Sequence, residues 1–128
     1  MSWQAYVDDH LVGSGTVSQA AIIGVGAYDT WATSPGFTVS TEEAKALIDG
    51  LKNTDSFASN GIILNGQKYM YIKSDGGKEV HGKKGATGCS AFKGNTFVIV
   101  CVHDDTIQPG QCSATGGKLA DYLIEQGM

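Results

Sequence analysis

Between Gly61 and His103 the chain is cut by glycine at short intervals, and that spacing leaves few folds open. Five β-rich runs, Gly61–Leu64, Lys68–Lys73, Glu79–His81, Cys89–Phe92 and Thr96–His103, are separated by Asn65-Gly66, Asp75-Gly76-Gly77, Lys84-Gly85 and Gly94-Asn95. Such turns join strands of opposite direction, because asparagine and glycine accept the positive φ that a tight hairpin needs. Parallel strands need crossovers of a dozen or more residues, and these intervals are too short for them. The expectation is an antiparallel meander. Within it, Tyr69 and Tyr71 alternate with Met70 and Ile72, as in a strand with one buried face.

The flanking segments add helices and two more strands. Both ends of the chain, MSWQAYVDDHL and KLADYLIEQGM, read as amphipathic helices. Val7 and Leu11 fall on one side of Trp3 and Tyr6 on the other; Tyr122 lies just outside the arc of Leu119, Ala120, Leu123 and Ile124. Aromatics at the margin of two apolar stripes suggest an exposed aromatic surface where the helices lie side by side. The plainer alternative is that Trp3 and Tyr6 are core residues of a terminal helix. Gln19–Val25 reads as a buried strand and Asp29–Thr33, with Trp31, as a short second one. Ser40 followed by Glu43 is a capping-box signature; Ala44, Leu47, Ile48 and Leu51 follow at helical spacing up to about Asn53. Pro109 opens the last helix, where a missing N–H is tolerated. The reading is α+β, a central antiparallel sheet with both terminal helices on one face.

Composition bounds the function. A chain of 128 residues with 41% hydrophobic content suits one domain with one core. No apolar run reaches membrane-spanning length, and no secretory signal is visible. Cys89, Cys101 and Cys112 are odd in number and irregular in spacing, which fits neither a disulfide framework nor a zinc site and suggests a reduced, cytosolic setting. Residues 66–98 hold six lysines against two acids, a net +4; the rest holds three lysines against eleven acids, a net −8. A protein acidic overall is a poor nucleic-acid binder, whereas a local lysine patch suits an acidic protein face or anionic lipid.

Catalytic readings find little support. Gly13-Ser14-Gly15 lacks the third glycine of a dinucleotide fingerprint, and Gly82-Lys83-Lys84-Gly85 lacks the spacing of a phosphate loop. A nucleophilic pair of Cys89 or Cys112 with His81 or His103 has no local signature behind it. Asp104-Asp105 reads as a turn. No cofactor, metal or enzymatic activity is expected.

Five stretches, in order along the chain, resemble the profilin family, in its protist and plant forms. They are SWQ-x-YVD-x-x-L at Ser2–Leu11, TWATS at Thr30–Ser34, HGKKGATG at His81–Gly88, IQPGQC at Ile107–Cys112 and LADYLIEQGM at Leu119–Met128. The resemblance implies a profilin-like domain over 1–128, with smaller helices on the sheet face opposite the terminal ones. It implies a cytoplasmic protein of the cytoskeleton and cell cortex, monomeric, that binds monomeric actin and speeds nucleotide exchange on it. It also implies binding of proline-rich, formin-like proteins and of phosphoinositides. The polyproline surface would comprise Trp3, Tyr6, Trp31, Tyr122 and Met128, the last standing where animal forms end in tyrosine. Lys73, Lys84, Thr87, Lys93, Ile107, Gln108, Gly110, Ser113, Ala114 and Lys118 would meet actin. Lys68, Lys73, Lys78, Lys83, Lys84 and Lys93 would meet phosphoinositides. Ala114-Thr115-Gly116-Gly117, where relatives commonly carry bulky residues, predicts a looser last helix, since each of its two glycines costs roughly 1 kcal/mol relative to alanine. A small ligand-sensing or scaffold domain of similar architecture is the alternative.

Overall fold

The computed structural model describes residues 2–128. Its framework is a seven-stranded antiparallel sheet in the order β2-β1-β7-β6-β5-β4-β3. The strands are β1 (Gln19–Gly24), β2 (Thr30–Thr33), β3 (Ile62–Leu64), β4 (Gln67–Asp75), β5 (Glu79–Lys84), β6 (Thr87–Lys93) and β7 (Phe97–His103). The meander from β3 to β7 forms as its turn residues require: Asn65 and Gly66 both adopt positive φ, as do Gly76, Gly77 and Gly85. The strands run longer than their β-rich centres, β4 and β5 especially, because ladder hydrogen bonds carry the lysines at their ends.

The sheet has a core on each face. Ala21, Ile23, Val80, Ala91, Val98 and Val100 point to one side, where α2 (Thr41–Lys52) and α3 (Asp55–Asn60) cover them. Ala20, Ile22, Phe92, Ile99 and Cys101 point to the other, under the N-terminal segment and α4 (Pro109–Glu125). Leu47, Ile48 and Leu51 face the first core; Leu119, Ala120 and Leu123 face the second. The expected arrangement, terminal helices on one face and smaller helices on the other, is the one found. The capping box of α2 is complete, with Glu43 N donating to Ser40 Oγ and Ser40 N to Glu43 Oε1, both at 3.1 Å. The short helix α3 carries no apolar periodicity and escapes a sequence reading; Phe57 packs it against Gly50 of α2.

The N-terminal helix departs from the regular form. It begins as a single α turn, α1 (Trp3–Ala5), widens into a π-helical stretch over Tyr6–Leu11, and closes as a 3-10 turn at Val12–Ser14. Gly13 sits against the carbonyl of Asp8, where a Cβ would stand only 2.6 Å from the oxygen. Widening breaks the 100° spacing on which the helical wheel relies.

Candidate functional site

Three of the expected aromatic residues, Trp3, Tyr6 and Trp31, come together, while Tyr122 lies with His10 and Lys118. The Trp3 ring centroid lies 4.8 Å from that of Trp31 and 5.9 Å from that of Tyr6, with the rings tilted 45° and 55°. Tilted pairs at such distances suit the ring quadrupoles. Trp3 and Trp31 are half-buried, and Tyr122 is 48% exposed. Met128 packs beside the same core, its carbonyl accepting from Thr96 N and Oγ1, each at 3.2 Å. Tyr6 corrects the helical-wheel reading: it is only 8% exposed and belongs to the core beneath the surface. The π-helical turn is the reason, since it swings Tyr6 inward and leaves Trp3 at the margin.

Two supports of this surface carry no local signal. Phe97 is fully buried and places its ring 6.2 Å from Trp3, an underlay supplied from β7. Trp31 lies across Gly24 of β1, where a Cβ would meet its Nε1 at 2.6 Å. Glycine at 24 therefore leaves room for the indole to lie against the sheet.

A second surface lies where the terminal helices stop. The same sheet face continues uncovered over β5 and β4, and Met70 and Ile72 stand 67% and 52% exposed on it. Tyr69 and Tyr71 turn inward; the alternation alone left that direction open. A depression of about 480 Å³ forms between this open face and the start of α4. Ile72, Lys73, His81, Thr87, Gly110 and Ser113 are among its lining residues. His81 is held there by Ser90 Oγ and Glu79 Oε2, each 3.1 Å from a ring nitrogen.

The other expected contact residues are scattered around it. Gln108 is the N-cap residue of α4, Ile107 packs toward the core, and Ala114 is exposed on the helix. Lys118 sits farther along α4, sharing a hollow with His10 and Tyr122. The lysines do not form one patch. Lys68, Lys83 and Lys84 converge on a hollow beside Met70 and Tyr71, whereas Lys93 lies with Lys52 near the Gly76-Gly77 turn. Lys78 belongs to that second group, its carbonyl accepting from Lys93 N at 2.7 Å. Position along the strands explains the split, since Lys83 and Lys84 lie at the Thr87 end of the β5–β6 ladder and Lys78 and Lys93 at its opposite end.

The thiols are arranged for packing. Burial pushes the Cys89 thiol up to about 12, so it carries no thiolate at neutral pH. It also faces the α2 side of the sheet, opposite to Ser90 and its partner His81. The pairing of the Cys101 and Cys112 thiols holds Cys112 low and, with burial, drives Cys101 well above the ordinary thiol range. Asp104 closes a turn, accepting from Thr106 N at 2.9 Å and Thr106 Oγ1 at 2.6 Å.

The sequence model of the Profilin family matches residues 1–128. The chain belongs to the profilin family. Profilins are actin-binding regulators. Profilin-2 of Acanthamoeba castellanii is 46% identical over 127 residues, which cover 99% of each chain. The crystal structure of Acanthamoeba castellanii profilin II superposes with a TM-score of 0.94 at 46% identity, over 99% of this chain and 100% of that one. Mouse profilin IIa, solved in complex with a double repeat from the FH1 domain of mDia1, shares the fold at a TM-score of 0.83 with 22% identity, over 100% of both chains. The π-widened helix and the Trp3–Trp31 pair are thus described for a chain of profilin fold. Among the described residues no helix is long and apolar enough to cross a membrane.

Proposed function

We propose that this profilin acts as a cytoplasmic, monomeric and non-enzymatic single domain that binds monomeric actin on one surface and proline-rich, formin-like segments on another. The carrying observation is the Trp3–Trp31 pair at 4.8 Å, with Met128 packed against the same core. A polyproline segment is already extended and loses little entropy on docking, and it lays its rings into slots between aromatics. The indole N–H and the Tyr122 hydroxyl supply donors for proline carbonyls. Tyr6 supports Trp3 from below. The relative solved with an FH1 double repeat is consistent with a ligand of this kind.

For actin the reading is the open face of β4 and β5 with the first turn of α4. Met70 and Ile72 add apolar area at its centre, and Lys73, Thr87, Gly110 and Ser113 surround the depression. Lys84, Ile107, Gln108 and Ala114 extend it; Lys93 and Lys118 lie away from it. Binding there would bias the actin monomer toward an open nucleotide cleft, which speeds exchange without chemistry by this protein. Lys68, Lys83 and Lys84 form the phosphoinositide site of this reading, close enough to the actin surface for lipid and actin to compete.

Retention on polyproline resin, together with slower spontaneous assembly of pyrene-labelled actin, tests the proposal. Passage through the resin without retention would remove the proline reading. Unchanged assembly would remove the actin one.

A further inference from the structure

The geometry points to Gln4 as the positioning residue that sets the spacing of Trp3 and Trp31 for a proline-rich ligand. This inference rests on the aromatic surface being the proline-binding face. β2 is the outermost strand at its end of the sheet. Ala21 of β1 stands opposite Thr33 of β2, and both backbone polar groups of Thr33 are taken by Gln4. Gln4 Nε2 donates to Thr33 O at 2.9 Å, and Thr33 N donates to Gln4 Oε1 at 3.4 Å. The side-chain amide thus meets the sheet edge as one residue of a further strand would, one donor and one acceptor against their complements. The second Nε2 hydrogen goes to Asp8 Oδ1 at 3.0 Å. The Thr33 carbonyl and the Asp8 carboxylate can only accept, so a single orientation of the amide serves all three contacts.

The consequence for the platform is direct. Gln4 follows Trp3 in the chain, and Thr33 lies two residues beyond Trp31 on the same short strand, where a bulge at Trp31 turns the indole onto the core that Trp3 also packs against. The amide therefore closes a small loop that joins the two indoles. The N-terminal helical segment is anchored to the core through Val7 and Leu11, and α1 is its first turn, ahead of those anchors. Its Ser2 cap, Ala5 N to Ser2 Oγ at 3.1 Å, orders the turn but does not touch β2. Gln4 is the side chain of this segment that hydrogen-bonds the backbone of β2, where Trp3 makes only ring contact. A slot between rings accepts a proline only at a defined width, so losing the clamp weakens binding without removing an aromatic.

The test compares full-length wild type with Gln4→Ala and the length-preserving Gln4→Met. Three readouts are taken: calorimetric affinity for a peptide of about ten prolines, thermal midpoint, and the circular-dichroism couplet from the paired indoles. The expected result is binding about five- to tenfold weaker in both variants, as two lost hydrogen bonds would give, with the couplet reduced. Wild-type affinity in either folded variant overturns the inference, and so does a lowered midpoint with affinity and couplet intact. If wild type itself does not bind the peptide, the proline reading fails separately. The couplet then decides: reduced in Gln4→Met, it supports Gln4 as the spacer of the indoles; unchanged, it overturns that role.

Discussion

Gly116 and Cys101 are packed so closely that a methyl group at position 116 would stand 2.8 Å from the Cys101 sulfur. The same methyl would meet the Phe92 ring at 2.6 Å. Glycine here brings α4 down onto the sheet rather than loosening it. Gly117, one residue on, is different: its added Cβ would touch Phe92 at 3.5 Å, an ordinary contact. Gly116→Ala is expected to destabilise by about 1–2 kcal/mol, overpacking outweighing the gain in helix propensity. Gly117→Ala is expected to stabilise by up to about 1 kcal/mol. Urea unfolding midpoints of the two variants should move in opposite directions; a shared direction refutes the packing argument.

The aromatic residues should separate by readout. Trp3→Ala is expected to cost on the order of 2 kcal/mol of proline binding, as loss of a central anchor does. Tyr122→Ala should weaken the same binding while leaving stability within about 0.5 kcal/mol, since the side chain is half exposed. Tyr6→Ala should instead lower stability by about 3 kcal/mol, because its ring is core. Calorimetry and thermal unfolding on the three proteins check this.

Lipid binding should follow the division of the lysines. Lys83→Glu with Lys84→Glu is expected to abolish sedimentation with phosphatidylinositol bisphosphate vesicles at moderate salt, each lysine being worth about 1 kcal/mol. Lys78→Glu with Lys93→Glu should leave much of it, because these residues sit at the other end of the sheet's long hairpin. Raising salt should weaken wild type, as screening of exposed charge requires. Equal loss in both double variants would mean that the membrane sees only net charge.

The buried thiols predict an alkaline weakness. Cys89 and Cys101 hold their protons more tightly when folded than when unfolded. Below the ordinary thiol value both states are protonated and the contribution is complete. Above it only the unfolded chain releases protons, so stability falls as pH rises from about 9 towards 12. The slope should approach about 1.4 kcal/mol per pH unit for each such thiol. Unfolding midpoints across that range, compared with those of Cys89→Ala, measure the share due to this residue. In the same vein, native protein at neutral pH should resist thiol alkylation until denaturant is added, because all three cysteines are buried.

What could be read beforehand was what the chain encodes locally. The hairpin turns announce themselves through asparagine and glycine, and the start of α2 through Ser40 and Glu43. Yet Glu43 also accepts from Asn65 N at 3.0 Å and Gly66 N at 2.8 Å, binding the helix cap to the β3–β4 turn. Nothing near residue 43 foretells that. Tyr6 was misplaced because a wheel assumes a regular helix, and Gly13 against Asp8 allows a wider one. Trp31 joined the aromatic group through family resemblance, since no periodicity links residue 31 to residue 3. Phe97 and Gln4 reach the group through sheet order and a side chain meeting a strand edge, both products of the assembled fold. The lysines looked continuous in sequence because chain order hides which end of the hairpin each one occupies.

Helix α4 begins beside the depression at Gly110 and Ser113, and its last turns pack through Leu119, Ala120 and Leu123 into the core that carries Trp3 and Trp31. Its 17 residues make a rod about 25 Å long at the usual rise. Packed along its length against Phe92 and Cys101, that rod works as a fixed spacer between two berths. Occupants of the berths would ride in tandem at a constant offset, neither blocking the other's seat.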